Sequence, residues 1–177
     1  MKKGGKGGSK TAKNGKAYEE KVDYISTLSK ISGYKIILNN NNEQEIYFMD
    51  EKVGIAIKKD TLYKFLTRQK VDWGKIISKK LLPDEAILNF KNSTLYIIEI
   101  KHQVTEGSVD EKLQTCDFKK KQFEKLLKPL NINVEYIYIL NDWFEKEKYW
   151  DVKQYIKSVG CRFYFNTIDP RELELPQ

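Results

Sequence analysis

Two acids and a lysine lie near the ends of two apolar runs in the middle of the chain. Asp84 lies at the start of the first run, residues 83–90, and Glu99 and Lys101 lie near the end of the second, residues 94–102. Three polar residues separate the runs, which is typical of the turn of a β-hairpin. Residues two apart on a strand share a face, so Glu99 and Lys101 point the same way. The sequence therefore predicts that these three side chains gather on one patch of a sheet.

The register of this hairpin decides which residue faces Asp84. If the turn uses the first two of the three intervening residues, Asp84 faces Glu99, and if it uses the last two, Asp84 faces Lys101. Directly opposed residues have Cβ atoms about 4.5–5.5 Å apart. Either register therefore leaves the three side chains as neighbours.

Such a patch has the groups that a Mg²⁺ site needs. The carboxylates of Asp84 and Glu99 and the main-chain carbonyl of Ile100 are hard oxygen ligands. A metal held there would polarise a phosphodiester and lower the pKa of a bound water. Lys101 would orient or help to deprotonate that water and offset the charge that develops on the phosphate. The alternative is a surface salt bridge, but the isoleucines around Glu99 predict a buried strand, on which charges are costly unless paired or bound to metal.

Helices and strands alternate along the rest of the chain, which is typical of one α/β domain. Apolar spacing predicts helices over residues 17–32, 58–68, 73–80, 108–127 and 149–159. Alternating or β-branched runs predict strands over residues 34–38, 45–48, 53–57, 134–140 and 161–165. Residues 1–15 are rich in glycine and lysine, so we expect a flexible basic arm ahead of a single domain over residues 16–177.

The net charge of +7 is concentrated in two blocks. Residues 1–16 hold six lysines and no acid, and residues 58–80 hold eight Lys or Arg against two Asp. The rest of the chain has more acids than bases. A concentrated positive charge favours an anionic partner, and nucleic acid is the obvious one.

The pair Pro83-Asp84 followed by Glu99-Ile100-Lys101 resembles the signature of the PD-(D/E)xK nuclease superfamily. Glu99 follows Asp84 by fifteen positions, and the strand–turn–strand before a helix is similar to that superfamily's αβββαβ core. Longer segments resemble a group of small type II restriction endonucleases. These segments are GGSKTAKNGKAYEEKVD (7–23), LLPDEAI (81–87), IIEIKHQ (97–103), GSVDEKLQTCDFKKKQ (107–122) and YIYILNDWF (136–144).

This resemblance implies a mixed central sheet flanked by helices and a Mg²⁺-dependent, site-specific cleavage of double-stranded DNA in the bacterial cytoplasm. Asp84 and Glu99 match the metal-binding acids, and Lys101 matches the catalytic lysine. The superfamily often has a further acid on its first helix, which here is Glu19 or Glu20. We prefer Glu19, because it follows an aromatic residue as the acid does in the related sequences.

Phosphate contacts are expected from the basic arm, from the residue two positions after the catalytic lysine, and from the helix that follows. The candidates are Lys10, Lys13, Lys16, Gln103, Ser108, Lys112 and Lys119. Residues 34–80 are left for DNA recognition or dimer contacts. A homodimer is expected, because cutting both strands of a palindrome needs two copies of the site. Glu85 and His102 should point to the opposite face, and neither is given a catalytic role.

Two other functions remain open at this point. One is a repair, recombination or nicking nuclease on the same core, and the other is a non-catalytic nucleic-acid-binding domain whose acids are structural. The intact set of two acids and a lysine argues against the second, because a pure binder gains nothing from acids beside a phosphate.

The remaining signals concern packing and compartment. Cys116 and Cys161 lie far apart and match no zinc spacing, so we expect reduced thiols in a cytosolic protein. No apolar run is long enough for a membrane span, and no apolar segment follows the basic N-terminus as in a secretory signal. The tryptophans Trp73, Trp143 and Trp150 are expected to serve in packing rather than in base stacking.

Overall fold

A mixed sheet of seven strands is the centre of the computed structural model, which describes residues 17–18, 22–106 and 109–177. β1 to β5 are antiparallel neighbours, and β6 and β7 continue the sheet parallel to β5. The start of β4 and the ends of β3, β5 and β6 therefore lie together, at what we call the upper end. In chain order the strands are Tyr34–Leu38, Gln44–Phe48, Glu51–Ala56, Glu85–Asn89, Thr94–Lys101, Asn133–Leu140 and Arg162–Phe165. The α/β class predicted from the sequence is confirmed.

Helices lie against both faces of this sheet. The α-helices whose bounds lie within the described residues, α1 to α5, are Tyr24–Leu28, Thr61–Arg68, Val109–Leu113, Cys116–Leu127 and Trp150–Ser158. Single turns of 3₁₀-helix lie at Trp73–Lys75, Lys128–Leu130, Asp142–Glu145, Glu147–Tyr149 and Pro170–Leu173. None of the helices in the described residues has the length and the apolar run that crossing a bilayer requires.

Two cores form because successive strand residues alternate between the faces. On the side that we call face A, Leu95 and Ile97 of β5 pack with buried residues of α2, α4 and α5. On face B, Tyr96 and Ile98 pack with buried residues of α1. Both cores are apolar and almost fully buried, so β5 is covered on both sides. The charged end of β5 is thus fixed by a rigid central strand.

The central hairpin forms as the sequence predicts, and the structure selects one of its two registers. Leu88 of β4 pairs with Leu95 of β5, and Glu85 pairs with Ile98. Continuing that register by one residue sets Asp84 opposite Glu99. The first of the two predicted registers is therefore the one adopted.

The helix predicted over residues 17–32 is wrong in its extent. Residues 17 and 18 are helical, but α1 spans only Tyr24–Leu28. Asp23 has a non-helical backbone (φ −51°, ψ 110°), and its carboxylate accepts a hydrogen bond from the Ser26 N–H at 2.7 Å. Asp23 thus begins a new helix instead of continuing an earlier one.

Two other predicted helices are also wrong in extent. The helix over residues 108–127 is divided into α3 and α4, because the Thr115 hydroxyl bonds the Lys112 carbonyl at 2.8 Å in the turn between them. The helix over residues 73–80 is only one 3₁₀ turn, Trp73–Lys75. The helix predicted over residues 149–159 is confirmed as α5, and all of the predicted strands are present.

Candidate active site

Asp84 is fixed at the upper end of the sheet, directly before β4. Its Oδ2 accepts a hydrogen bond from the Ile100 N–H of β5 at 2.9 Å. This bond lies where the two strands stop pairing, so the carboxylate extends the ladder by one hydrogen bond. The carboxylate is thereby held beside the last residues of β5.

One ammonium group contacts an oxygen of each of the three groups proposed from the sequence as metal ligands. The Lys101 Nζ lies 2.7 Å from Glu99 Oε2, 3.0 Å from the Ile100 carbonyl oxygen and 3.4 Å from Asp84 Oδ2. The three oxygens therefore converge on a volume that a single cation can fill. In this structure, the ammonium occupies the position that the sequence proposes for a metal cation.

A second lysine completes the charge balance of the cluster. Lys119 of α4 places its Nζ 3.4 Å from Glu99 Oε2, so Glu99 has two cationic neighbours although it is only 6% exposed. Burial lowers the pKa of Lys101, but the carboxylates of Glu99 and Asp84 outweigh it and hold the pKa above its ordinary value. Two carboxylates and two ammonium groups thus neutralise one another at the end of β5.

The donor set fits a hard divalent cation with open coordination positions. Within the described part of the chain, Asp84 Oδ1 and Glu99 Oε1 accept no hydrogen bond. Two carboxylates and one carbonyl leave room for water and a phosphate oxygen around Mg²⁺, which usually keeps several waters. No group of three or more Asp, Glu, His or Cys side chains that could hold a metal forms among the described residues. Glu19 and Glu20, the proposed third acid, lie outside those residues.

The other predicted contact residues are divided between those that the structure describes and those that it does not. Lys119 faces Glu99. Lys112 is exposed on α3, and its carbonyl accepts a hydrogen bond from the Tyr138 hydroxyl at 3.2 Å. Gln103 is only 3% exposed, two residues beyond Lys101. Lys10, Lys13, Lys16 and Ser108 lie outside the described residues, together with the basic arm.

Asn141 is a structural neighbour of the site that the sequence did not indicate. Its Nδ2 donates to the Gln103 carbonyl at 2.8 Å, and its Oδ1 accepts from the Gln103 N–H at 3.1 Å. This pair of bonds ties the end of β5 to the end of β6. The only sequence signal for it is an amide residue directly after a predicted strand.

Glu85 and His102 lie away from the charged cluster, as predicted. Glu85 is 3% exposed, accepts a hydrogen bond from the Tyr24 N–H at 3.1 Å and lies 3.5 Å from the Lys58 ammonium. Burial raises the pKa of Glu85 to about 7, although Lys58 acts to lower it. The His102 ring stacks on Tyr18 with centroids 4.6 Å apart, and burial lowers the pKa of His102. The contacts of Glu85 and His102 are therefore packing and pairing contacts outside the charged cluster.

A comparison of the chain with protein-family models, curated proteins and solved structures finds no match. The resemblance to restriction endonucleases thus rests on the segments quoted from the sequence. The geometry of the charged cluster is an independent observation.

Proposed function

We propose that the chain is a Mg²⁺-dependent endonuclease that cuts both strands of DNA at a specific site, in the manner of a type II restriction enzyme. The observation that carries the proposal is the convergence of Asp84, Glu99 and the Ile100 carbonyl on one cation position, with Lys101 beside it. The sheet would then be a PD-(D/E)xK core. The proposal includes a homodimer in the bacterial cytoplasm, because two sites are needed to cut both strands.

The residues of the cluster have separate roles in this proposal. Asp84, Glu99 and the Ile100 carbonyl would hold the ion, which polarises the phosphodiester and lowers the pKa of a bound water. Lys101 must then leave these oxygens, and its ammonium can bond the attacking water or a phosphate oxygen. Lys119 contacts the same Glu99 oxygen as Lys101 and can neutralise part of the phosphate charge.

Acids at a phosphate-binding surface favour a nuclease over a simple binder. Two carboxylates repel a polyanion unless a cation lies between them, so they reduce the affinity of a protein that only binds DNA. A nicking or repair nuclease on the same core is the second candidate, because it would use the same acids and lysine.

Incubation of supercoiled plasmid with the full chain separates these functions. We expect discrete linear fragments with Mg²⁺ and none with EDTA. Nicked circles or structure-specific products would favour the second candidate. Binding to DNA without any cutting, in Mg²⁺ or Mn²⁺ and on DNA of high sequence complexity, would contradict a nuclease of either kind.

A further inference from the structure

A first cluster of aromatic rings and a lysine lies shortly before Asp84 in the chain. The Lys80 Nζ is 4.9 Å from the ring centroids of both Tyr63 and Trp73, and the two rings meet edge to face at 5.2 Å. The Tyr63 hydroxyl bonds the backbone of Leu81, at 2.6 Å to its N–H and 2.9 Å to its carbonyl. Lys80 is therefore held on rigid rings four residues before Asp84.

A second cluster lies on the other side of the site, in the 3₁₀ turns after β6. The Lys146 Nζ is 3.1 Å from the Trp143 ring centroid, and the Lys148 Nζ is 5.0 Å from the Tyr149 centroid. The Trp143 Nε1–H donates to the Tyr149 hydroxyl at 2.6 Å, which fixes the two rings together. The loop begins at Asn141, which is bonded to the chain just beyond Lys101.

The two clusters lie on the same face and at the same end of the sheet as the acids. Trp73 and Trp143 both pack against the core of face A, the face of Leu95 and Ile97 and, by strand alternation, of Glu99. The first cluster adjoins the start of β4 and the second adjoins the end of β6, with β5 between them. Two strand spacings are about 10 Å, which is about three base-pair steps of a DNA duplex. The clusters thus adjoin the two strands that neighbour β5, and these strands are spaced at the scale of a short stretch of duplex.

A lysine on an aromatic ring keeps its charge for another partner. A carboxylate cancels the charge of a paired ammonium, whereas a ring only attracts it through its quadrupole. Lys148 is paired with Glu106 at 3.0 Å, but Lys146 makes no ion pair with a described carboxylate, and the Lys80–Asp60 pair is long, at 3.8 Å, and exposed. Among the described residues, the four shortest cation–ring contacts, at 3.1 to 5.0 Å, all belong to these clusters.

We propose that the two clusters grip the backbone of duplex DNA on either side of the phosphate that is cut, with Lys80 and Lys146 each contacting a phosphate. This inference rests on the proposed function, since it takes DNA as the substrate. The rings hold the ammonium groups in place before binding, so less side-chain freedom is lost when the duplex arrives.

The salt dependence of binding tests this inference. The affinity for a labelled DNA duplex is measured in Ca²⁺ at several salt concentrations, for the full chain and for Lys80→Gln, Lys146→Gln and the double variant. Removing one phosphate contact should lower the slope of log affinity against log salt by about 0.9, so the slope of the double variant should fall by about 2. Lys128→Gln is the control, because it removes an exposed lysine at the far end of α4. Its slope should equal that of the unchanged protein, and all variants should keep its melting temperature.

Each outcome separates the inference from the proposed function. If the slopes of Lys80→Gln and Lys146→Gln equal that of the unchanged protein, and the unchanged protein still cuts plasmid, the inference alone is overturned. An equally reduced slope in Lys128→Gln also overturns the inference, because removing any surface lysine would then lower the salt slope. A chain that binds with the expected slopes but never cuts overturns the proposed function, and of the inference it leaves only the phosphate contacts of Lys80 and Lys146. A chain that neither binds nor cuts DNA overturns both.

Discussion

Lys101 and a divalent cation would compete for the same three oxygens. The ammonium contacts Glu99, Asp84 and the Ile100 carbonyl, which are the ligands proposed for the metal. Without a metal, Lys101 offsets the repulsion between the two acids. If the proposed metal were bound, that role would pass to the ion and the ammonium would become available to the proposed substrate. The same side chain can thus stabilise the empty site and act in the filled one.

Replacing Lys101 should separate metal binding from cleavage. Lys101→Met removes the competing ammonium, so we expect it to bind Ca²⁺ about tenfold more tightly, a gain of about 1.4 kcal/mol. Plasmid cleavage in Mg²⁺ should be abolished, while DNA binding in Ca²⁺ persists. Isothermal titration calorimetry measures the metal affinity, and Lys112→Met, an exposed lysine on α3, is the control. Weaker Ca²⁺ binding by Lys101→Met, or retained cleavage, would contradict the assigned roles.

Glu85 should make the stability of the protein depend on pH. Its pKa is about 7 in the folded chain against an ordinary value of 4.5, so the unfolded chain releases this proton first as the pH rises. The free energy of unfolding should therefore fall between pH 4.5 and 7, by about 3 kcal/mol in all. Glu85→Gln should remove this part of the decline. Urea unfolding in EDTA, at about pH 5 and about pH 8, measures it. Equal declines in Glu85→Gln and the unchanged protein would exclude Glu85 as the source.

At the scale of elements, the β3–β4 pairing determines where Asp84 lies. Gly54 of β3 pairs with Asn89 of β4, and a Cβ at Gly54 would come 2.5 Å from the Leu88 carbonyl oxygen. That atom belongs to the backbone and cannot turn aside. The glycine thus permits the close approach of the two strands.

Gly54→Ala should therefore destabilise the sheet by about 1–3 kcal/mol, because the strands must separate or bend. Gly74→Ala is the matched control, since the nearest atom to its Cβ would be the Asp72 carboxylate at 3.7 Å. Its effect should remain within about 0.5 kcal/mol. Chemical denaturation of both variants measures the difference, and equal stabilities would show that the close approach at Gly54 is not limiting.

The sequence predicts the strands and the core of the site well, because those depend on local pattern. A polar turn between two apolar runs is enough to bring Asp84 beside Glu99. The ends of helices are predicted less well, because they depend on single hydrogen bonds. The Asp23 cap and the Thr115 bond each interrupt a helix whose apolar spacing continues through them.

Contacts made through the tertiary fold are beyond the sequence pattern. The sequence predicts that Lys119 contacts DNA, but its contact with Glu99 follows from how α4 packs on face A. The sequence predicts all three tryptophans as packing residues; Trp73 and Trp143 do pack on the core, but Trp150 is 61% exposed, so the prediction is wrong for Trp150. That Lys80 and Lys146 lie over these rings depends on the local path of the backbone, because each lysine follows its tryptophan within the same loop region.

At the scale of the whole molecule, lysines precede β4 and follow β6, the strands on either side of the strand that carries Glu99 and Lys101. The block over residues 58–80 contains Lys80 of the first cluster and adjoins Asp84. Lys146 and Lys148 lie on the other side, after β6. A polyanion attracted by this surface would be brought towards the acids, where a divalent ion would be needed to receive it.

The basic arm should add to the affinity for DNA. Residues 1–13 hold five lysines and no acid, and removing each phosphate contact lowers the salt slope by about 0.9. Deleting residues 1–13 should therefore weaken binding and flatten its salt dependence by more than about 2. Fluorescence anisotropy with a labelled duplex measures both quantities. A slope that does not change would show that the arm takes no part in binding.

The acids at the upper end of the sheet are proposed to cut DNA with the help of a metal, and two adjacent carboxylates allow a matched test of that role. Asp84→Asn and Glu85→Gln are compared on supercoiled plasmid in Mg²⁺. Both changes replace a carboxylate by an amide of the same size, but only Asp84 lies beside Lys101. We predict that Glu85→Gln cuts about as fast as the unchanged protein and that Asp84→Asn is slower by a factor of at least about 100. Cleavage by Asp84→Asn at the unchanged rate would contradict the proposed role of the acids.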